Sequence, residues 1–243
     1  MLAPKFWYPE NNEKSFSSLA LVPFGHIYSL LSKLRMSKAV KKQFDIPIVC
    51  IGNLNAGGTG KTPTTISAAE FLRDRKYNVH IVSRGYGGNA MGPLSVNDKE
   101  HSADDVGDEA LMLSAFAPTW VATKRSDGIQ SAIKEGADII LLDDGFQDPS
   151  VYKDLSILTV NAKKGFGNNR CIPAGPLREK LSNGLERADV LISIGSETSQ
   201  RTFKSIYKSY INMPLGIANL CLLYTSDAAD EGLGVDLGGR RII

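Results

Sequence analysis

Between residues 51 and 63 the chain reads "IGNLNAGGTGKTP", and the residue types at its end are those that hold the phosphates of a nucleotide. Gly57, Gly58 and Gly60, with Thr59 among them, let backbone N–H groups turn toward an anion; Lys61 can reach the β and γ oxygens, and the Thr62 hydroxyl can hold magnesium. The stretch departs from the GxxxxGK[ST] pattern at one place, where Asn55 replaces the first glycine. A glycine-rich turn with an incidental lysine is the bland alternative, and it is weakened by the apolar run before the loop and the helical run after it.

Two further groups of acids suit the same chemistry. "ADIILLDDG" is an apolar strand ending in Asp143 and Asp144, the arrangement by which carboxylates meet a metal at the carboxyl edge of a sheet. Adjacent aspartates can also merely cap a turn, but a GKT loop upstream favours the metal. "VGDEALML" places Asp108 and Glu109 at a helix start, where the dipole favours acids with or without a function. A phosphotransferase adds a second reason, because the acceptor hydroxyl needs a base.

The elements that must position these residues begin after Pro47, where short β-branched runs alternate with helical stretches. "IPIVCI", "NVHIVS", "TWVA", "ADIILLDD", "LSILTV" and "DVLISI" predict strands, and residues 61–75, 105–117 and 125–136 predict helices. Continuously apolar strands separated by helices predict an α/β fold, a parallel sheet covered on both faces in three layers. Residues 16–42 begin apolar and end basic, with Lys33, Arg35, Lys38, Lys41 and Lys42 and no acid among them. Such a segment either lies in a membrane interface or packs on the protein with a solvated basic face, and its own residues favour neither. With Pro23 and Gly25 interrupting it, the run is too short for a confident span.

The expected organisation is a membrane-interface segment at 1–45, a catalytic domain at 46–220 and a non-native tail at 221–243. "CLLYTSDAADE" and "GVDLGGRRII" resemble translated sequencing adapter, with Glu231 to Leu233 as a barcode-sized gap. The whole chain carries 28 basic and 26 acidic residues; without that tail 26 and 22 remain, a mildly basic balance. Cys50 and Cys171 form no CxxC pair and no metal-ligand spacing, which suits a reduced interior, and the polar "MLAPKFWYPENNEKS" shows no secretory signal.

Taken in order, "GNLNAGGTGKTP", "SRGYGG", "VGDEALML", "LLDDGFQ" and "PAGPLRE" resemble the tetraacyldisaccharide 4'-kinases, across essentially all of residues 1–220. That family's phosphate loop normally lacks the first glycine, so Asn55 agrees with the resemblance. It implies a P-loop NTPase-like fold, ATP and Mg2+ as requirements, and transfer of the γ-phosphate to the 4'-hydroxyl of an acylated glucosamine disaccharide 1-phosphate, forming lipid IVA in lipid A biosynthesis. The acceptor's place implies the cytoplasmic face of the bacterial inner membrane and favours the interfacial reading of 16–42. Neither a nucleic acid nor a protein partner is implied.

By the resemblance, Lys61 and Thr62 match nucleotide and magnesium positions, Asp143 and Asp144 the metal-organising pair, Asp108 the proposed base, and Glu109 a helper at the metal or phosphates. Gln147 falls in a motif near the site. Arg84, Tyr86, Arg125 and Arg178 are weaker candidates for anionic contacts, since surface ion pairs use the same residues. Asp148 stands where the family often has histidine, and Lys180 where it has proline. The family's later aspartate-histidine motif would lie beyond residue 220, so the chain is expected to be an N-terminal portion that binds nucleotide and catalyses poorly.

Two rival readings share parts of this pattern. A membrane-surface switch ATPase of the partitioning type has a similar loop, but carries a lysine before the paired glycines where this chain has Ala56. A soluble P-loop kinase of a small metabolite would not need residues 16–42.

Overall fold

The computed structural model describes residues 3–9 and 15–220; the tail expected to be non-native lies outside them. The chain divides into two compact units, one made of residues up to 29, 54–60 and from 158 onward, the other of 30–53 and 61–157.

The second unit carries the strands β1 (Ile48–Gly52), β2 (Val79–Ser83), β3 (Leu94–Ser95), β4 (Thr119–Val121) and β5 (Ile139–Asp143), in the order β3-β4-β2-β5-β1. The first residues of β6 (Leu155–Asn161) follow beside β1. Pairing is parallel from β4 through β1, with Val79 opposite Ile139 and Ile48 opposite Ile140, while β3 runs antiparallel to β4. All five residues of β2 and of β5 are buried, as expected of strands covered on both faces.

Helices α3 (Lys61–Asp74), α4 (Ala103–Val106), α5 (Asp108–Ser114) and α6 (Arg125–Lys134) follow in this unit. Ile66 and Ala69 of α3 and Leu113 of α5 close a core with Val79, Ile81 and Leu141. The single helix expected over 105–117 is broken at Gly107, which has φ 87° and ψ 145°. A side chain there would run into the Tyr86 carbonyl, and a Cβ at Gly88 would lie 2.6 Å from the Asp105 carbonyl. The "SRGYGG" loop therefore packs directly on the α4–α5 junction, and Asp108 starts a new helix beside it.

The first unit contains the end of β6 with β7 (Val190–Ile194) and β8 (Leu215–Ala218) in the order β6-β7-β8, and helices α7 (Leu181–Glu186) and α8 (Glu197–Tyr207). Leu191 of β7 pairs in parallel with Leu215 of β8. Phe166, Phe203 and Tyr207 form its aromatic core, with ring centroids 4.9 to 6.0 Å apart. Ahead of it come α1 (Phe16–Ala20) and α2 (Val22–Lys38), which passes into the second unit at Leu30; along α2 Gly25 is buried and Ser29, Ser32 and Met36 are half-buried, whereas Phe24, Ile27, Leu30, Leu31 and Leu34 are exposed. Among the described residues no helix is long and apolar enough to cross a membrane.

Candidate active site

The phosphate loop grows out of the end of β1. Gly52 closes that strand because any side chain would meet Phe146 of the "LLDDGFQ" motif, whose Cβ lies 2.6 Å from where a Cβ on residue 52 would be. Gly57 and Gly60 have φ of 119° and 87°, in the region that favours glycine, and the 57–58 tip is exposed with open space around it. Behind the tip, the buried Thr59 hydroxyl lies 3.0 Å from that of Thr159.

At Lys61 the chain enters the second unit as the first residue of α3. Lys61 is only 8% exposed, and its Nζ lies 3.8 Å from Asp144 Oδ2. One turn on, Thr65 donates to Asp143 Oδ1 at 3.2 Å, while Asp143 Oδ2 is buried without a partner among the described residues. Burial, followed by the negative charges of Glu109 and Asp144, pushes the Asp143 carboxyl up to about 6, against the opposing pull of Lys61 and the Thr65 hydrogen bond. Asp144 has φ 50°, an uncommon backbone conformation that aspartate tolerates and that turns its carboxylate toward Lys61.

The carboxylates of Asp143 and Asp144 and the hydroxyl of buried Thr62 are all oxygen donors. Among the described residues no group of three or more His, Cys, Asp or Glu could hold a metal by itself. Oxygen donors of this kind suit Mg2+, which binds through one or two carboxylates and completes its shell with water and phosphate oxygens.

The profile of the family described as "Tetraacyldisaccharide-1-P 4'-kinase" matches residues 17–229, most of the chain. The chain belongs to this family. The tetraacyldisaccharide 4'-kinase of Jannaschia sp. strain CCS1 is 48% identical over 88% of this chain and 64% of its own length, and that of Rhodospirillum centenum is 39% identical over the whole chain and 69% of its own. Against the first relatives the chain thus spans somewhat under two thirds of their length, 64% and 61% for the first two. The crystal structure of Aquifex aeolicus LpxK in complex with ATP superposes with a TM-score of 0.69 at 27% identity, covering 85% of this chain and 67% of that one. The P-loop NTPase-like fold is thereby established, and the switch-ATPase reading is not favoured.

Within this kinase family member, the other expected residues are placed as follows. Glu109 acts electrostatically on Asp143, and Asp108 is exposed beside it at the start of α5. Arg84 and Tyr86 are both exposed on the loop that packs against that helix start. Gln147 donates to the Asn53 carbonyl at 2.8 Å, and its own carbonyl accepts from Arg35 of α2 at 3.3 Å. In the first unit, Arg178 is half-buried, and its backbone N–H donates to the Leu54 carbonyl at 2.7 Å.

Arg125, expected as an anion contact, is turned inward. Its guanidinium meets Asp148 at 3.0 Å and donates to the carbonyl of Asp144 at 2.9 Å and that of Asp143 at 3.5 Å. The arginine thus fastens the turn that carries the two aspartates. Asp148, the departure from the family's usual histidine, is its charge partner; against the upward push of burial, the Ser150 hydrogen bonds and then Arg125 hold the Asp148 carboxyl below the usual range. Thr65, Thr159 and Asp148 were not singled out for the site from sequence. Only the four-residue spacing from Lys61 to Thr65, which puts both on one helix face, offered a signal.

Proposed function

We propose that the chain binds magnesium ATP and that its protein catalyses the reaction of its family's name, phosphorylation of the 4'-hydroxyl of a tetraacyldisaccharide 1-phosphate. The observation that carries the reading is the meeting of Lys61, Asp144 and Asp143, whose Oδ2 is buried and unpartnered among the described residues, at the helix that follows a glycine loop. The relatives' names supply the acceptor and the Aquifex structure supplies ATP.

In this reading Gly57, Gly58, Thr59 and Gly60 receive the phosphates, Lys61 contacts the β and γ oxygens, and Thr62, Asp143 and Asp144 hold Mg2+, with Glu109 beside them. Bound there, the ion would neutralise charge on the phosphate oxygens. Asp108 takes the proton of the acceptor hydroxyl as its oxygen bonds to the γ-phosphorus; the bond from that phosphorus to the bridging oxygen breaks and ADP leaves. Arg125 keeps the Asp143–Asp144 turn in place, so its contribution is to position. Arg84, Tyr86, Gln147 and Arg178 remain candidates for contacts with the anionic lipid.

The acceptor is a lipid, and α2 supports attachment to a membrane surface. Phe24 and Leu31 are 59% and 61% exposed, while small residues face inward: a Cβ on Gly25 would lie 3.0 Å from the Cys171 carbonyl. A helix that packs by its small face and exposes its large apolar side chains, followed by lysines, fits the headgroup boundary of an anionic leaflet. The cytoplasmic face of the inner membrane is the location this implies, since ATP is there.

The test is to supply γ-labelled ATP, Mg2+ and the acylated disaccharide 1-phosphate in mixed micelles and to locate the label. Lys61-dependent labelling at the 4' position is expected. ATP hydrolysis with no labelled lipid would point instead to a switch ATPase.

A further inference from the structure

We propose that Asn55 is a positioning residue for the phosphate loop, its side-chain amide bracing the front of the loop against the 165–178 segment in place of a glycine's conformational freedom. The inference rests on the reading of this loop as the nucleotide site and concerns how the loop is held.

A glycine is needed in a loop where the backbone enters the left-handed region or another group comes too close for a side chain. Asn55 is not among the residues with positive φ; it forms an antiparallel bridge with Leu177 instead. Flanking backbone bonds extend that bridge, from Arg178 N–H to the Leu54 carbonyl and from Ala56 N–H to the Pro176 carbonyl, each 2.7 Å long. The front of the loop is therefore an extended strand laid on "PAGPLRE", and that motif acquires a use in holding the loop.

The side chain adds direction. Asn55 is 2% exposed, and its Nδ2 donates to the Gly165 carbonyl at 3.0 Å and to the Tyr8 hydroxyl at 3.4 Å. The acceptor is itself fixed: Gly165 donates from its N–H to the Asn161 carbonyl at 2.8 Å, has φ 51°, and would bring a Cβ within 2.6 Å of the Tyr207 ring. The remaining amide oxygen, Oδ1, is buried with no partner among the described residues. An unmet buried acceptor is unfavourable, so the amide is a poor filler and a good directional brace. With Thr59 held by Thr159 behind, the exposed 57–58 tip is tethered on both sides.

Preorganising a binding loop raises affinity by removing the ordering that a ligand must otherwise impose. The experiment compares the whole chain with Asn55→Ala, Asn55→Gly, Asn55→Asp and Tyr8→Phe, using magnesium ATP titration calorimetry and hydrogen exchange of peptides covering 54–60. Loss of one buried hydrogen bond predicts about five- to tenfold weaker binding for Asn55→Ala and Asn55→Gly. Exchange should be faster in the loop but unchanged in β5, with anionic-vesicle binding unaltered. Asn55→Asp should be weaker still, since it places a carboxylate against a carbonyl. Tyr8→Phe should stay within about twofold, because the Tyr8 contact is long.

Asn55→Gly with wild-type affinity and wild-type loop exchange would overturn the proposal. Exchange needs no nucleotide, so the two readings fail separately. A wild-type chain that ignores magnesium ATP while Asn55→Ala loosens the loop would leave the brace standing and remove the nucleotide. Should Asn55→Asp fail to fold, the alanine and glycine variants decide.

Discussion

Thr65 and Asp143 meet at 3.2 Å, hydroxyl to Oδ1, and the other oxygen of the same carboxylate is buried with no hydrogen-bond partner among the described residues. One oxygen is thereby aimed and the other left for a ligand. The arrangement is unfavourable to the ligand-free fold, because burial and two neighbouring acids resist ionisation.

That cost has a sign that can be measured. The folded carboxyl titrates near 6, above its ordinary value of 3.8, so the folded chain holds the proton more tightly over that interval and stability falls as pH rises through it. Above about pH 6 the ionised group destabilises the fold by roughly 3 kcal/mol. Asp143→Asn should therefore gain on the wild type in urea unfolding with chelator present, from little at pH 4 to roughly that amount at pH 7.5. The same variant should lose magnesium-dependent nucleotide binding. An advantage that does not grow with pH would remove the buried-acid explanation.

The Arg125–Asp148 pair should behave as an internal strut. With side chains 7% and 17% exposed, removing the arginine leaves a half-buried carboxylate and two backbone carbonyls short of a donor. Arg125→Ala should lower stability by about 3 kcal/mol. The Asp148 carboxyl is held low in the folded state, so its contribution is present above the unfolded value and is lost as pH falls through the folded one. Asp148→Asn should accordingly narrow its gap from the wild type at low pH. Equal urea midpoints for Arg125→Ala and the wild type would rule out the strut.

The exposed face of α2 gives a prediction that leaves the fold alone. Phe24→Asp combined with Leu31→Asp should change stability by less than about 0.5 kcal/mol each, since both side chains already face solvent. Binding to vesicles rich in anionic lipid should weaken by at least about tenfold, because each apolar side chain loses of order 1.5 kcal/mol on leaving the interface. Flotation that is unaffected would place the acceptor's docking surface elsewhere.

Much of this was written in the sequence, for identifiable reasons. Glycines, GKT and paired aspartates after a fully apolar strand carry local patterns, and β1, β2, β4, β5, β6 and β7 lie where their β-branched runs predicted. The break at Gly107 was not legible, because it depends on a carbonyl from the distant "SRGYGG" loop. Two-residue β3 and the edge strand β8 were too short or too plain to read. For Arg125 the sequence leaves an anion contact and an ion pair equally open, because an arginine's sequence neighbours do not say whether a carboxylate waits inside. Thr65 and Thr159 act through contacts that sequence separations of 78 and 100 conceal.

The most direct measurement is titration of the chain with ATP, with and without Mg2+, alongside Lys61→Ala. Saturable, magnesium-dependent binding that weakens about ten- to a hundredfold when the lysine is removed is expected for a lost charge-assisted contact. No binding by the wild type, or equal binding by Lys61→Ala, would contradict a nucleotide site built on Lys61 and Asp143.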